Sequence, residues 1–225
     1  MTMDTMNTVG EIATEHPLAT RVFARHGIDF CCGGGVSLKE ACETCGLDLD
    51  VVMAEIEKET GEGPNDTRRW DQEPLTDLID HILVTYHRPL DEELPRLHAM
   101  AVKVLDVHRD KAEQALNDLL TTFQGLRAEL EQHMAKEEQI LFPMIRQGNG
   151  AMAGGPIQVM EAEHESAGAA LARLRSLTND YQVPEEACNT WRALWHGLQA
   201  LEHELHAHIH LENNILFPRA QTESV

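Results

Sequence analysis

The sequence contains one stretch twice. Residues 133–143 read His-Met-Ala-Lys-Glu-Glu-Gln-Ile-Leu-Phe-Pro, and residues 208–218 read His-Ile-His-Leu-Glu-Asn-Asn-Ile-Leu-Phe-Pro, so both copies follow H-x-x-x-E-x-x-I-L-F-P. Residues four apart on an α-helix lie about 40° apart around its axis, so the histidine and glutamate of each copy face the same way. The proline of each copy is expected to end the helix just past this pair. The repeat predicts two helices with matching sites.

The histidine–glutamate pairs point to metal binding. Imidazole and carboxylate are metal ligands that suit iron, manganese or zinc, and a carboxylate can bridge two ions. Aligning His87 with His164 also places Leu94 on Leu171, so the repeat extends upstream of the motif. Two halves related in this way would gather six donors in a bundle and favour a dinuclear centre. The six candidate ligands are His87, His133, Glu137, His164, His208 and Glu212.

Several neighbouring residues have to be weighed against these candidates, because a single histidine on a helix is usually not a ligand. Only His208 aligns with His133, and the same alignment selects Glu137 over Glu138. The three histidines that flank His208 are therefore interpreted as non-ligands: His203, His206 and His210. His108 stands outside the repeat, and its spacing alone leaves its role open.

Composition narrows the class of protein. The chain has 225 residues, a hydrophobic fraction of 42% and a formal net charge of −20, which suits one or two small globular domains. The negative charge argues against binding to nucleic acid or to an anionic membrane surface. No apolar run reaches the ~18 residues of a membrane span. The first residues lack the features of a signal peptide, so a cytoplasmic location is expected.

Helical periodicity and the absence of β signals predict an all-α fold. We expect a small N-terminal helical domain over 1–62, a linker over 63–74 rich in Gly, Pro and charge, and an up-down four-helix bundle over 75–222. The bundle helices are predicted over residues 75–101, 107–142, 157–178 and 185–217. Thr8-Val9-Gly10-Glu11 and Ser37-Leu38-Lys39-Glu40 are capping-box patterns that predict two helix starts in the first domain.

The cysteines of the N-terminal domain leave two interpretations open. Cys31-Cys32 precedes three glycines and a capped helix start, where helix amides would lower a thiol pKa and favour contact with a redox or metal partner. The alternative is that the pair fills space as small hydrophobic residues. Cys42 and Cys45 form a C-x-x-C pattern, which is typical of a redox pair or half of a metal site. Cys188 is expected to be a buried structural residue.

In combination these motifs resemble one family, the repair-of-iron-centres proteins (the YtfE and ScdA family). The similarity covers about Thr8 to Ala220, and the C-x-x-C pattern departs from it. The elements that carry it are Asp29-Phe30-Cys31-Cys32-Gly33-Gly34, Tyr86-His87, Val107-His108, His133 to Pro143, Glu161-Ala162-Glu163-His164 and His208 to Pro218. The resemblance implies a hemerythrin-like bundle with two non-haem iron ions, bridged by Glu137 and Glu212. It adds His108 as a further ligand, and it places Glu129 and Glu163 on a polar path to the centre.

The resemblance also implies a function. The family restores iron–sulfur clusters damaged by oxidative and nitrosative stress, either by donating iron or by reducing nitric oxide to nitrous oxide. Only the second would make the protein an enzyme. Cys31 and Cys32 would take part, the partners would be proteins with damaged clusters, nitric oxide or dioxygen would be small ligands, and a homodimer is compatible with the family.

Two other functions compete with repair. The first is a hemerythrin-like module that binds or senses oxygen or nitric oxide without catalysis, although a simple oxygen carrier has no use for a Cys-Cys domain. The second, a zinc hydrolase, is disfavoured because the sequence has no H-E-x-x-H and seven ligands leave little room for a catalytic water.

Overall fold

The computed structural model describes residues 6–62 and 68–223, so residues 63–67 of the predicted linker lie outside it. Within the described residues the regular structure is helical, apart from one isolated bridge between Thr8 and Ser37, which confirms the all-α prediction. The α-helices are α1 (Val9–Glu15), α2 (Ala19–His26), α3 (Leu38–Cys45), α4 (Leu49–Glu62), α5 (Leu75–Ile82), α6 (Arg88–Lys136), α7 (Phe142–Arg146), α8 (Gly154–Leu177), α9 (Asn189–Leu211) and α10 (Phe217–Thr222). Short 3₁₀ turns occur at Trp70–Gln72 and Gly150–Met152. No helix in this part of the chain is long and apolar enough to cross a bilayer.

Three π-helical turns join consecutive helices. They are Leu83–His87, Glu137–Leu141 and Glu212–Leu216, and each contains a candidate ligand. In each case the amide that follows the turn donates to the carbonyl five residues earlier, as from Phe142 to Glu137. Turns of this kind are rare and frequently lie at functional sites.

The π-turns also overturn the prediction that proline ends each motif helix. Pro143 and Pro218 each follow a π-turn by two residues, and the chain continues as α7 and α10. A proline within a helix has no amide to donate and its ring meets the carbonyl four residues back. The wider π-turn changes the hydrogen-bond register at that carbonyl, so the helix passes the proline without stopping.

Helix α6 is two helices joined at a reversal of the chain. Its backbone leaves helical geometry at His108 (φ −116°) and Ala112 (φ −152°). The residues on either side pair in antiparallel order, since Gln124 Nε2 lies 3.1 Å from His98 Nε2 and Arg88 contacts Glu138. This reversal separates the first and second predicted bundle helices, although the first extends to about residue 107 and past the predicted end at 101.

The described residues divide into two compact units. One unit comprises 80–144 and 155–205 and is an up-down bundle of four helical segments. Glu129 contacts Ser166 and Lys136 contacts Glu163, which shows that α8 runs antiparallel to the second half of α6. Arg175 on α8 binds Glu202 on α9 at 2.8 Å. The core of this bundle includes Leu94, Leu97, Phe123, Leu126, Leu171, Leu174, Trp191, Leu194 and Leu198.

The other unit takes its described residues from 1–79, 145–154 and 206–225, and therefore joins the N-terminal helices to the second motif copy. Both predicted capping boxes are present, at the starts of α1 and α3. The core of α1–α4 includes Val9, Ile12, Val22, Phe23, Phe30, Leu38 and Ile56. The domain boundary predicted at 63–74 stays a prediction.

Candidate metal centre

Glu137 is the centre of the site formed by the first motif copy. The π-turn places its carboxylate inside the bundle, where the side chain is 0% exposed. Its Oε2 lies 3.4 Å from Nε2 of His87 and 3.4 Å from Nε2 of His133. The carboxylate therefore faces the imidazole of His87, which immediately precedes α6, and that of His133 in the last turn of α6.

His164 on α8 completes this group. Its Nε2 lies 3.1 Å from Nε2 of His133, and donor atoms of His133, Glu137 and His164 all lie within 4.8 Å of one another. The imidazoles are 1–4% exposed. The bundle thus brings together four of the five candidate ligands that belong to this unit, all except His108.

Two further carboxylates orient the imidazoles. His133 Nδ1 lies 2.9 Å from Glu163 Oε2, and His87 Nδ1 lies 3.0 Å from Glu138 Oε1. Each ring therefore presents Nε2 to Glu137, as expected when a carboxylate fixes the tautomer of a metal-binding histidine. Burial alone would raise the pKa of Glu163, but hydrogen bonds with Lys136 and His133 outweigh it and hold the pKa below its ordinary value. The sequence did not lead us to predict that Glu138 orients His87, although the position of Glu138 next to the candidate ligand Glu137 pointed to a role at the site.

A metal ion fits this arrangement. Within the described residues, neither carboxylate oxygen of Glu137 has a hydrogen-bond partner, and a buried carboxylate without compensation is costly. Ligand atoms bound about 2.1 Å from one ion are about 3.0–3.5 Å apart, and the nitrogen–oxygen and nitrogen–nitrogen distances here fall in that range. A set of imidazoles and carboxylate suits iron, manganese or zinc.

The second motif copy supplies a matching pair. His208 Nε2 lies 3.0 Å from Glu212 Oε1, and their side chains are 4% and 0% exposed. Glu212 is the first residue of its π-turn, just as Glu137 is the first residue of the π-turn in the first motif copy. The predicted alignment of the two copies is therefore reproduced in their local structure.

The second copy also holds the Cys31-Cys32 loop. Asn214 Nδ2 donates to the carbonyl oxygens of Phe30 (3.2 Å) and Cys31 (3.4 Å). The Phe30 ring lies edge-on to His206 and His210, with centroids 6.2 and 5.7 Å apart. These two histidines, interpreted above as non-ligands, thus contact the N-terminal loop. Burial lowers the pKa of His210 to about 4.

Two glycines allow this close contact. Gly10 donates from its amide to the carbonyl of Gly34 at 2.8 Å, and a Cβ atom on Gly10 would clash with the Asn214 side chain. A Cβ on Gly34 would lie 2.9 Å from the carbonyl oxygen of Phe30. Small residues at these two positions therefore let the loop and α1 approach the second motif copy.

The expectation of a low pKa at the Cys31-Cys32 pair is wrong for Cys31. The neighbouring Cys32, burial and the Asp29 carboxylate all raise the pKa of the Cys31 thiol. Asp29 Oδ1 accepts from the Cys31 amide at 2.9 Å and lies 3.2 Å from Cys31 Sγ, while Ser37 caps the helix in place of the thiols. This environment therefore favours the thiol form of Cys31, whose Sγ lies 3.8 Å from Cys32 Sγ.

His108 is the clearest correction to the predicted ligand set. It lies where α6 reverses, 21 residues from His87, which corresponds to about 30 Å of helix. Its Nε2 lies 3.2 Å from Cys188 Sγ and its ring packs on Trp191 with centroids 4.7 Å apart. The resemblance placed His108 among the ligands, but the length of the helix carries it to the other end of the bundle.

Glu129 and Glu163 line one groove. The cavity has a volume of about 430 Å³ between α6 and α8. Glu129 accepts a hydrogen bond from Ser166 at 3.0 Å, and Glu163 connects the groove to His133. The other lining residues are Gln132, Lys136, Gln158, Val159, Ala162 and Ser166.

The remaining cysteines do not form a metal site with three or more donors among the described residues. Cys42 is buried and Cys45 is exposed. Cys188 is also exposed, so the expectation that it is buried is wrong. The segment before α9 leaves it at the surface.

Two known family models match separate parts of the chain. Residues 78–220 match the family model of the Hemerythrin HHE cation binding domain. Residues 5–60 match ScdA_N, described as a domain of unknown function (DUF542).

Curated relatives match almost the whole chain. An iron–sulfur cluster repair protein YtfE of Yersinia pseudotuberculosis serotype O:1b is 47% identical over 219 residues, which cover 97% of this chain and 98% of the relative. The protein of that name from Pectobacterium atrosepticum is 47% identical over 212 residues, covering 94% and 95%. One from Yersinia pestis is 46% identical over 219 residues, covering 97% and 98%. The chain belongs to the YtfE family, with a hemerythrin HHE domain after an ScdA_N domain.

Proposed function

We propose that this protein repairs damaged iron–sulfur clusters and that it holds two non-haem iron ions for this purpose. The observation that carries the proposal is Glu137, a fully buried carboxylate whose Oε2 lies 3.4 Å from an imidazole nitrogen of His87 and 3.4 Å from one of His133. The family match and the relatives' names supply the context of repair. Those names support this function and lend no support to an oxygen-binding or sensing module.

The proposed ligands come from both motif copies. His87, His133, Glu137 and His164 form one group, and His208 with Glu212 supplies the matching pair; Glu137 and Glu212 are the proposed bridges. When bound, the iron provides a labile cation that can be donated and a centre with two available electrons. Glu138 and Glu163 hold the imidazole tautomers of His87 and His133, so that each ring presents Nε2 to Glu137.

Donation of iron is the mechanism that the groove supports. Glu129 and Glu163 give it two carboxylates, and Glu163 contacts His133, so a cation could pass from the ligands along this surface. The recipients would be proteins whose clusters have lost iron. Reduction of nitric oxide, the homodimer and the cytoplasmic location stay predictions from the resemblance and the sequence. Measurement of nitrous oxide from the iron-loaded protein under anaerobic nitric oxide tests the first.

The test is transfer of iron to a [4Fe–4S] dehydratase that has lost one iron by oxidation. Iron-loaded protein should restore its activity, and Glu129→Gln should slow transfer about tenfold without loss of bound iron, since ion-pairing steps of this kind depend on local charge. Glu131→Gln is the matched control, because Glu131 lies two residues away but pairs with Arg127 at the surface. Equal repair by the Glu137→Leu protein, or equal slowing in the control, would contradict the proposal.

A further inference from the structure

A second group of reactive side chains lies away from the proposed iron ligands, where α6 reverses and α9 begins. Cys188 immediately precedes α9, and its carbonyl accepts from the Arg192 amide at 3.0 Å. His108 Nε2 lies 3.2 Å from Cys188 Sγ. The thiol is exposed while the histidine is 7% exposed, so a buried imidazole faces an accessible sulfur.

The surroundings favour the thiolate. The hydrogen bond with His108, followed by the backbone amides of Trp191 and Thr190, lowers the pKa of Cys188 to about 7. Arg192 also donates to the carbonyl oxygen of Ala187 at 3.1 Å, which fixes the segment before the helix. Imidazolium and helix amides stabilise thiolates in reactive cysteines generally.

A cavity of about 460 Å³ is lined by residues that flank Cys188 in the chain, Glu186 and Trp191. Trp191, which packs on His108, and Trp195 both line it and are 3% and 4% exposed. Neither indole N–H has a hydrogen-bond partner among the described residues. Buried indole N–H groups normally find an acceptor, so these two point to a ligand that carries acceptor groups.

The rim of the cavity carries both signs of charge. Lys111 supplies a cation, and Glu185 and Glu186 supply anions. Asn179, Gln182 and Thr178 add neutral polar groups. A ligand with both a carboxylate and an ammonium group matches this lining, and the volume is within the range of small-molecule pockets.

We propose that Cys188 forms a mixed disulfide with a small, peptide-like zwitterionic disulfide that docks in this cavity. The Cys188 thiolate attacks one sulfur of the ligand, a new S–S bond forms, and the S–S bond of the ligand breaks. The departing thiolate takes up one proton in place of the proton that the Cys188 thiol gave up, so no other oxidant or reductant is required. The site is independent of the proposed iron centre.

The experiment treats the full-length, iron-loaded protein with oxidised glutathione and follows each cysteine by intact mass and peptide mapping. Cys188 should be modified faster than Cys45, the other exposed thiol. Lowering the pKa from 9.0 to about 7 increases thiolate at pH 7 about 50-fold while nucleophilicity falls about 8-fold, so His108→Asn should slow Cys188 about sixfold. The pH at which the rate of Cys188 modification inflects should also be higher in His108→Asn than in the native protein.

A second comparison distinguishes the contribution of the cavity to the reaction rate from the contribution of the thiol. Lys111→Gln should slow reaction with oxidised glutathione but leave reaction with uncharged hydroxyethyl disulfide unchanged. Lys103→Gln, on an exposed residue of the same α6, should affect neither. Modification of Cys188 no faster than that of Cys45, an unchanged pH profile in His108→Asn, or equal effects of Lys111→Gln on both disulfides would overturn the proposal.

Discussion

The two motif copies share their ligands and differ in the residues just after the glutamate. In the first copy Glu138 contacts His87 Nδ1 and Arg88. In the second copy Asn213 stands at the position of Glu138 and Asn214 at that of Gln139, and both asparagines donate to the Cys31 carbonyl. The shared positions of the repeat are therefore the ones proposed to bind iron, while the divergent positions orient a ligand in one copy and hold the cysteine loop in the other.

Removal of a proposed bridge should have the largest effect. Glu137→Leu and Glu212→Leu should each weaken iron binding by more than ~100-fold, because even outer partners of metal ligands contribute 10–100-fold. Without iron, Glu137→Leu should be more stable than the metal-free native chain by about 1–2 kcal/mol, since a buried charge is removed. Iron analysis and urea unfolding measure the two effects. Unchanged iron content in both variants would refute the assignment of these glutamates as ligands, and a loss of iron in only one variant would break the equivalence of the copies.

The orienting carboxylates should come next. Glu138→Gln and Glu163→Gln should each reduce iron affinity about 10-fold, because the ring tautomer is then fixed by a weaker acceptor. Competition with a ferrous chelator measures this affinity. Glu131→Gln, which changes an exposed carboxylate on α6, serves as the control and should match the native protein. A silent Glu138→Gln would remove the distinction drawn between the copies.

Substitution of an asparagine in the second copy should destabilise the Cys31-Cys32 loop and leave iron binding unchanged. Asn214→Ala should lower the free energy of unfolding by about 1–2 kcal/mol, because the Phe30 and Cys31 carbonyls each lose the hydrogen bond from Asn214. It should also speed alkylation of Cys31, with iron content unchanged. Gln139→Ala, at the equivalent position of the first copy, is the matched control. Loss of iron from Asn214→Ala would show that both copies serve the ligands alone.

His206→Ala should have the smallest effect. Its ring packs edge-on to Phe30, and an aromatic contact of this kind contributes about 0.5–1.5 kcal/mol. The free energy of unfolding should fall by that amount while iron binding stays the same. A large loss of iron would mean that the repeat selects the wrong histidine of this cluster.

The sequence predicted the helical class and the local match of the two copies because helical period and motif repeat are local properties. It did not predict that the chain continues past Pro143 and Pro218, since a π-turn depends on backbone hydrogen bonds that no residue type specifies. His108 was misplaced because the family pattern carries no distances, whereas the helix length does. The roles of Glu138, Asn213 and Asn214 required the contacts of the folded chain.

Mössbauer spectroscopy of protein loaded with ferrous iron and purified without air tests the central claim most directly. If both copies supply one centre, the native protein should contain two iron ions per chain that form a coupled pair after oxidation, and Glu212→Leu should abolish that coupling. One iron per chain, or two uncoupled ions that are unaffected by Glu212→Leu, would contradict it.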